Sequence, residues 1–372
     1  MATATSTRSP AWHLACSAKS CSFLWLIVEK GVDVMSSAGF DAVGDDITGG
    51  LDPSRVLVLR SGFTRGDDYF MEAMRRRGIC ADVSLRPLSS RALRGARRLH
   101  LYSRFPAKRL WFGSWVRRKG PFDLIIVHAA DLTLPAAEYA ARLFPHAQTV
   151  FWFWNPAARG TDPRRVHSAS LDCWSFDEQD CRTYGMRPNT QFMFSEIAEV
   201  GARVAPDIDF GFYGADKGRA PILMDVARTV EGAGLSHRFQ VVGDSAEELG
   251  KFPLLISAPG VDYGELLEQS ARFRVIVDIV QEGQSGMTLR GLEALYLRRK
   301  VLTNARAIRD SPLYDPERVF IWGEDSVDRL PAFVGSEYPE PPADVLTYYD
   351  FSSWLARFTK HGAPLPPKAT LS

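Results

Sequence analysis

The sequence predicts an α/β protein of two doubly wound parallel sheets facing a cleft, with a C-terminal helix that packs back toward the first domain. Three observations carry this reading. The chain of 372 residues exceeds the usual size of one domain. Short, continuously apolar runs recur along it, and helical stretches separate them. Runs that stay apolar instead of alternating belong to strands covered on both faces, the condition of a parallel sheet. An apolar content of 45% and a charged content of 24% are ordinary for a globular protein and exclude disordered and fibrous classes.

Residues 1–50 read as a poorly ordered leader, with Met35 an alternative start. Within it, FLWLIV (23–28) is too short to span a bilayer and lacks a small-residue cleavage site. The first domain is placed at 51–198. RVLVLRSG (55–62) reads as a buried strand ending in a glycine turn, DDYFMEAMRRRG (67–78) has helical spacing, and ICADVSLRPL (79–88) returns as a strand. PFDLIIVHAADL (121–132) is a second buried strand, followed by the helix LPAAEYAARLF and the strand TVFWFW; the aromatics FWFW (151–154) are expected in the core rather than stacked on a ligand. Periodicity lapses at EVGARVAPDID (199–209). A second domain at 206–335 then holds the strands FGFYG (210–214), FQVVGD (239–244), RVIVDIV (274–280) and KVLTN (300–304). The remaining 336–372 pair a Pro-rich passage, PEPPADV, with one amphipathic helix expected over LTYYDFSSWLARF.

The five cysteines, Cys16, Cys21, Cys80, Cys173 and Cys181, are odd in number and contain no C-x-x-C pair. Neither a disulfide framework nor a zinc site is indicated, and a reducing cytoplasm is the expected compartment. The net charge of +1 conceals an asymmetry: Arg75 to Lys119 hold 14 Lys or Arg and one acid, Asp82, while the rest of the chain holds 31 basic and 43 acidic residues. Leucines and aromatics interleave with these cations, including Leu93, Leu99, Phe105, Leu110 and Trp111. Residues 75–119 therefore suit either a solvated basic face or contact with an anionic acceptor or membrane surface, through cations such as Arg94, Arg97, Arg98, Arg117 and Arg118. The second reading puts the protein peripherally on the inner face of the cytoplasmic membrane. No nucleic-acid-binding signature accompanies the segment, and no nucleic-acid partner is expected.

The strand RVIVDIV runs into EGQSGM (282–287), and ligands of doubly wound sheets bind outside the carboxyl ends of strands. Ser285 is expected to cap a helix starting near Gly286, with the amides of Gly286, Met287 and Thr288 free to take phosphate. Two turns on, Glu293 is placed to accept both hydrogens of a vicinal diol such as a ribose, or else to pair with Arg290. FGFYGADKGR (210–219) brings Lys217 and Arg219 to the same sheet edge, where two cations facing a helix start make a diphosphate site; the alternative is an exposed turn. Neither glycine turn is G-x-G-x-x-G followed by an acidic ribose ligand, which argues against a dinucleotide.

From DFGFYGADKGR through FQVVGD and VDIVQEGQSGMTLRGLEAL to KVLTN and VFIWGED, the chain resembles the donor domain of GT-B glycosyltransferases, which pair two Rossmann-like domains. WNP (154–156) and SFDEQDCRTYG (175–185) narrow the resemblance to the bacterial family of lipopolysaccharide, capsule or exopolysaccharide biosynthesis, over roughly residues 120–330. In larger GT-B families two glutamates separated by seven residues bracket this turn, the second binding the ribose. Glu293 matches the second; Ser285 stands at the place of the first, and Glu282 is the nearest upstream acid, so the resemblance assigns Glu282 the sugar-contacting role with a shift in spacing.

The resemblance implies transfer of a hexose from a nucleotide-sugar co-substrate to a lipid-linked or polysaccharide acceptor in bacterial surface glycan assembly, with no other cofactor. Lys217, Arg219 and the helix start would stabilise the departing diphosphate without a metal. The D-x-D at Asp207 and Asp209 precedes a strand instead of following one, so no metal is assigned. His128 and Asp131, after DLIIV, are the candidate bases for the acceptor hydroxyl, against the alternative of structural residues. A non-catalytic sugar-nucleotide-binding or scaffold protein and a sugar-nucleotide epimerase are the competing readings of the same fold.

Overall fold

The apolar runs become strands, and every strand pairs in parallel with its neighbours. The computed structural model describes residues 51–62, 66–243, 247–280 and 288–359. The first sheet contains β1 (Val56–Arg60), β2 (Cys80–Val83), β3 (Leu124–His128), β4 (Gln148–Phe153), β5 (Asp172–Ser175) and β6 (Arg187–Pro188) in the order β2-β1-β3-β4-β5-β6. The second contains β7 (Ile208–Gly214), β8 (His237–Val242), β9 (Leu255–Ala258), β10 (Phe273–Asp278), β11 (Lys300–Thr303) and β12 (Val319–Ile321) in the order β12-β11-β10-β7-β8-β9. The order reverses between β1 and β3 in one sheet and between β7 and β10 in the other. At such a switch point the crossovers leave in opposite directions and open a crevice at the carboxyl ends of the strands.

Helices α1 (Asp67–Arg76), α2 (Arg91–Tyr102), α3 (Leu134–Leu143) and α4 (Glu178–Tyr184) belong to the first sheet, and α5 (Ile197–Arg203) links it to the second. Helices α6 (Ala220–Gly232), α7 (Tyr263–Ala271), α8 (Leu289–Leu297) and α9 (Leu330–Gly335) follow, then α10 (Ala343–Tyr349) and α11 (Phe351–Ala356). All residues of β1, β3 and β11 are buried. Their alternate faces feed two cores: Val56, Val58, Leu124 and Ile126 pack in a cluster that continues through Phe192 and Trp354 to Tyr263, Phe273 and Leu292, while Leu57, Leu59, Ile125 and Val127 pack with Phe112 and Trp115. Phe151, Trp152 and Phe153 are core residues, as expected.

Three local expectations are corrected. The strand expected over 79–88 ends at Val83; Leu85 instead forms an antiparallel bridge with Phe112. The strands β5, β6, β9 and β12, with two to four residues each, were not expected at all, being too short or too polar to stand out as apolar runs. The single helix expected over 346–358 is two, broken at Asp350, whose extended backbone and carboxylate cap α11 through Ser352 N. The break lets Met193 N donate to Tyr349 O and Phe351 N to Met193 O, each at 2.9 Å. Trp354 then packs on Trp152 and Phe358 on Trp174, while Arg357 bonds Asn189 Oδ1 and Thr190 Oγ1, both at 2.7 Å. The C-terminal helices thus pack back on the first domain.

The linker helix is held to the second sheet by close backbone approach. A Cβ on Gly201 of α5 would lie 2.3 Å from the Leu297 carbonyl oxygen of α8. Beside it the buried Arg299 donates to the carbonyls of Ala271, Leu297, Arg298, Gly201 and Val204 at 2.6–3.1 Å. We expect Gly201→Ala to destabilise the protein by about 1–3 kcal/mol, the usual range for overpacking. Gly95→Ala in α2, where a Cβ meets nothing within 4 Å, should be neutral or slightly stabilising through helix propensity. Urea unfolding of both variants checks the contrast, and equal effects would contradict the close packing of α5 on α8.

Candidate functional site

The crevice at the second switch point is built from the turns that follow β7 and β10. After Gly214 the chain reverses at Lys217 and Gly218, both in the left-handed region at φ 50° and 81°. The Asp216 carboxylate accepts from Gly218 N at 3.1 Å and from Ala220 N at 2.5 Å, so it closes the turn and caps α6. This leaves Lys217 exposed at the tip and sends Arg219 back toward β10. Arg219 donates to Ile279 O at 3.1 Å, to Asp216 O at 3.0 Å and to Ala215 O.

Arg290, in the first turn of α8, comes from the other side. Its guanidinium donates to Tyr213 O at 2.7 Å. It and the Arg219 guanidinium each lie 4.9 Å from the centre of the Phe212 ring. A Cβ on Gly214 would lie 2.8 Å from Arg290 Nη2, so glycine at the end of β7 is what admits the second guanidinium. Neither arginine has a carboxylate at ion-pairing distance among the described residues. Burial, and then the charge of Arg290, hold the Arg219 guanidinium down to about 10. Two neighbouring cations whose hydrogen bonds among the described residues all go to carbonyl oxygens suit an anion.

The rest of the crevice is rigidly set. Val280 N donates to Asn304 Oδ1 at 2.8 Å, which pins the exit of β10 to the end of β11. The Thr288 hydroxyl donates to Asp278, the last residue of β10. Thr288, at φ −78° and ψ 158°, occupies the N-cap position, and α8 starts at Leu289. This corrects the expected helix start near Gly286 with Ser285 as cap: Thr288 is still extended and spends its hydroxyl on Asp278. Glu282, Ser285, Gly286 and Met287 themselves lie outside the described residues. Glu293 is on α8 as expected, but it is 5% exposed and accepts from Tyr263 Oη at 2.6 Å. Burial raises its carboxyl above the usual range, and burial with the Glu293 charge pushes the Tyr263 phenol well up, so Tyr263 remains a donor.

Tyr263 also ties this crevice to the first sheet. Its ring lies 5.2 Å from Phe70 and 5.0 Å from Tyr69, on the helix that follows β1. At the end of β1, Arg60 is ion-paired with Asp67 at 2.8 Å, and Asp67 also accepts from Ser61 Oγ at 3.0 Å and Gly62 N at 2.8 Å. The Arg60 guanidinium lies 4.3 Å from the centre of the half-buried Trp154 ring. His128, at the end of β3, is 5% exposed, and its Nδ1 has no hydrogen-bond partner among the described residues. Burial, then the charge of Arg60, lower it to about 3, so it is neutral at pH 7. Asp131 is committed elsewhere, to Arg165 at 2.7 Å and to Tyr102 Oη at 3.3 Å. Asp207 and Asp209 sit at the amino end of β7; Asp207 is paired with Arg272, and Asp209 accepts from Ser236 and pairs with Arg274.

No protein-family model matches the chain, and no curated protein matches it in sequence. Among solved structures the chain is similar to AviGT4, a glycosyltransferase involved in avilamycin A biosynthesis, at 11% identity over 82% of this chain and 96% of that one, with a TM-score of 0.51. It is similar in the same way to sucrose-phosphate synthase from Thermosynechococcus elongatus, at 12% identity over 82% of this chain and 97% of that one, with a TM-score of 0.50. The fold is GT-B. At these identities the likeness is one of fold, and it agrees with the two parallel sheets expected from sequence.

Within this GT-B fold, sequence reasoning placed Lys217, Arg219, Thr288 and Glu293 on one sheet edge and His128 on the other. It passed over Arg290 except as a partner for Glu293, and it read Arg60 only as part of an apolar run. The available signals were a charged residue closing such a run and an arginine two residues beyond a helix cap.

Two expectations follow from the buried groups. Because the folded-state pKa of Glu293 is raised, its burial opposes folding only above about pH 4.5, where the unfolded carboxyl is ionised. Glu293→Gln keeps an acceptor for Tyr263, so it should be at least as stable as the wild type at pH 7, with the difference vanishing near pH 4; a clear loss at pH 7 would contradict this. Because the folded-state pKa of His128 is depressed, wild-type stability should fall as pH drops from about 6.5 toward 3, by up to about 1.4 kcal/mol per pH unit. His128→Gln should remove that component in urea titrations between these limits, and parallel curves for the two proteins would refute it.

Proposed function

We propose that the protein transfers a hexose from a nucleotide-sugar donor to a lipid-linked or polysaccharide acceptor, in bacterial surface glycan assembly. The observation that carries this reading is the pair Arg219 and Arg290, converging on Phe212 in the switch-point crevice with no ion pair to either among the described residues. The GT-B fold supports it, and the resemblance carried by WNP (154–156) and SFDEQDCRTYG (175–185) in the first domain points to the acceptor class.

In the proposed reaction an acceptor hydroxyl oxygen bonds to the anomeric carbon of the donor, the bond from that carbon to the diphosphate breaks, and the hydroxyl proton passes to the departing diphosphate or to water. Negative charge grows on the departing nucleoside diphosphate. Arg219, Arg290 and Lys217 supply three cations where that charge develops, the neutralising role a metal fills elsewhere. The free amides at the start of α8 add partial positive charge. Glu293 lies behind them to take the ribose diol, and its raised carboxyl ionises more readily once hydroxyls replace part of its lost hydration. On the first sheet, His128 is a neutral imidazole whose buried Nδ1 has no hydrogen-bond partner among the described residues. With its pKa held to about 3 it is a weak proton acceptor, so its service is to hydrogen-bond a sugar or acceptor hydroxyl.

The test is a panel of nucleotide sugars and free nucleoside diphosphates scored by thermal shift and then by transfer. A matching donor at 100 times its Kd should stabilise the protein by about 2.7 kcal/mol. Arg290→Gln and Glu293→Gln should each weaken donor binding by about 1–3 kcal/mol. Lys217→Ala with Arg219→Gln should lower kcat more than affinity, since the charge they meet is largest in the transition state. No shift with any nucleotide sugar would refute the proposal. Release of an epimerised sugar nucleotide without acceptor would replace transfer by epimerisation, and binding without turnover would leave a scaffold.

A further inference from the structure

Helix α2 turns an apolar face to solvent. Ala92, Gly95, Ala96 and Leu99 recur at the i, i+3, i+4, i+7 spacing of a core-facing stripe, yet all four are exposed, Leu99 at 76%. The residues of α2 that are buried are Arg97 and Leu101, on the opposite side. The stripe continues beyond the helix through Phe105, 73% exposed, and Leu110, 59% exposed. Of the nine large apolar side chains exposed among the described residues, five fall between Leu93 and Leu110, a concentration in one segment of the chain.

Cations frame the patch. Arg91 and Arg98 flank the stripe on α2, and Arg104, Lys108 and Arg109 lie along its continuation. Arg98 rests over the ring of Tyr102 at 5.9 Å. None of these five forms an ion pair among the described residues. Not every cation of the basic segment takes part, which corrects the sequence-based choice of Arg94 and Arg97. Arg97 is buried and donates to Arg86 O at 2.9 Å, and Arg94 donates to Leu88 O and Ser89 O at 2.9 and 2.8 Å, so these two hold the helix in place.

We propose that this face, Ala92, Ala96, Leu99, Phe105 and Leu110 within their frame of Arg and Lys, docks on an anionic lipid surface. The apolar stripe would enter the boundary between headgroups and acyl chains, and the framing cations would reach phosphate with their long stems along the stripe. A second copy of the chain would bring like charges together, and nucleic acid would leave Leu99, Phe105 and Leu110 in water. Among the described residues no helix is long and apolar enough to cross a membrane, so the contact is peripheral. The inference goes beyond glycosyl transfer and does not depend on it.

Sedimentation of the full chain with phosphatidylcholine vesicles, with and without phosphatidylglycerol, tests the proposal. Wild type should pellet only with the acidic vesicles and should be released as salt rises, because the Debye length shrinks below about 10 Å. Leu99→Glu with Phe105→Glu should weaken binding at least tenfold. Arg98→Gln with Arg109→Gln should weaken it about 25-fold, at about fivefold for each cation near the surface. The two pairs lie at exposed positions and are read separately, with thermal shift on the nucleotide-sugar panel as a control that neither pair should change. Failure of wild type to bind acidic vesicles at low salt would overturn the proposal, as would unchanged binding by both variants. Retention on polyuridylate without vesicle binding, or a wild-type dimer that Leu99→Glu dissociates, would assign the face to another partner and overturn it as well.

Discussion

Parallel pairing of every strand is the constraint from which the rest of the molecule follows. Helical crossovers cover both faces of each sheet, so the interior of a strand has no room for charge, and polar side chains collect at strand ends. Arg60 closes β1, His128 closes β3, Asp278 closes β10 and Lys300 opens β11. The amino-end residue is a structural one: Lys300 Nζ donates to the carbonyls of Phe333 and Ser336 at 2.6 and 2.9 Å. Those at carboxyl ends line the two switch points. Chain topology therefore decides which charges can meet a ligand before any particular side chain is considered.

At those switch points the protein holds groups in states that oppose folding. Arg219 and Arg290 repel each other across Phe212, Glu293 is buried with a raised pKa, and His128 is buried with an open nitrogen. Arg299, by comparison, is a buried cation whose guanidinium meets five carbonyls. A ligand that fills unmet bonding capacity in a crevice recovers part of its cost, which in its absence is offset by the packing of α5 on α8 and of α10 and α11 on the first domain. Tyr263 joins the two switch points, touching Phe70 on one side and bonding Glu293 on the other.

Much of this was legible in the sequence because continuous apolar runs and their order carry the topology. VLVLR, LIIVH, FGFYG and FRVIVD announce central strands; DCWS, RP and the three residues of β12 do not, since β6 and β12 are short edge strands and β5, although internal, has only four residues with Asp172 and Ser175 at its ends. Local capping signals were weaker guides. Thr288 takes the N-cap position expected of Ser285, and Asp350 breaks what periodicity alone makes one helix, because each answers to a distant partner, Asp278 in one case and Met193 in the other. The orientation of individual cations was not legible. Arg97 and Arg98 are neighbours in sequence, yet one is buried and the other frames an exposed face.

On the proposed function, the crevice between β7 and β10 seats a nucleoside diphosphate. A crystal structure of the protein with uridine diphosphate, or with whichever nucleoside diphosphate stabilises it most, addresses this directly. Phosphate oxygens should lie about 2.7–2.9 Å from the guanidinium nitrogens of both Arg219 and Arg290, with the ribose hydroxyls on the Glu293 carboxylate. A nucleotide seated at the first sheet's switch point against Arg60 and His128, with Arg219 and Arg290 untouched, would contradict it.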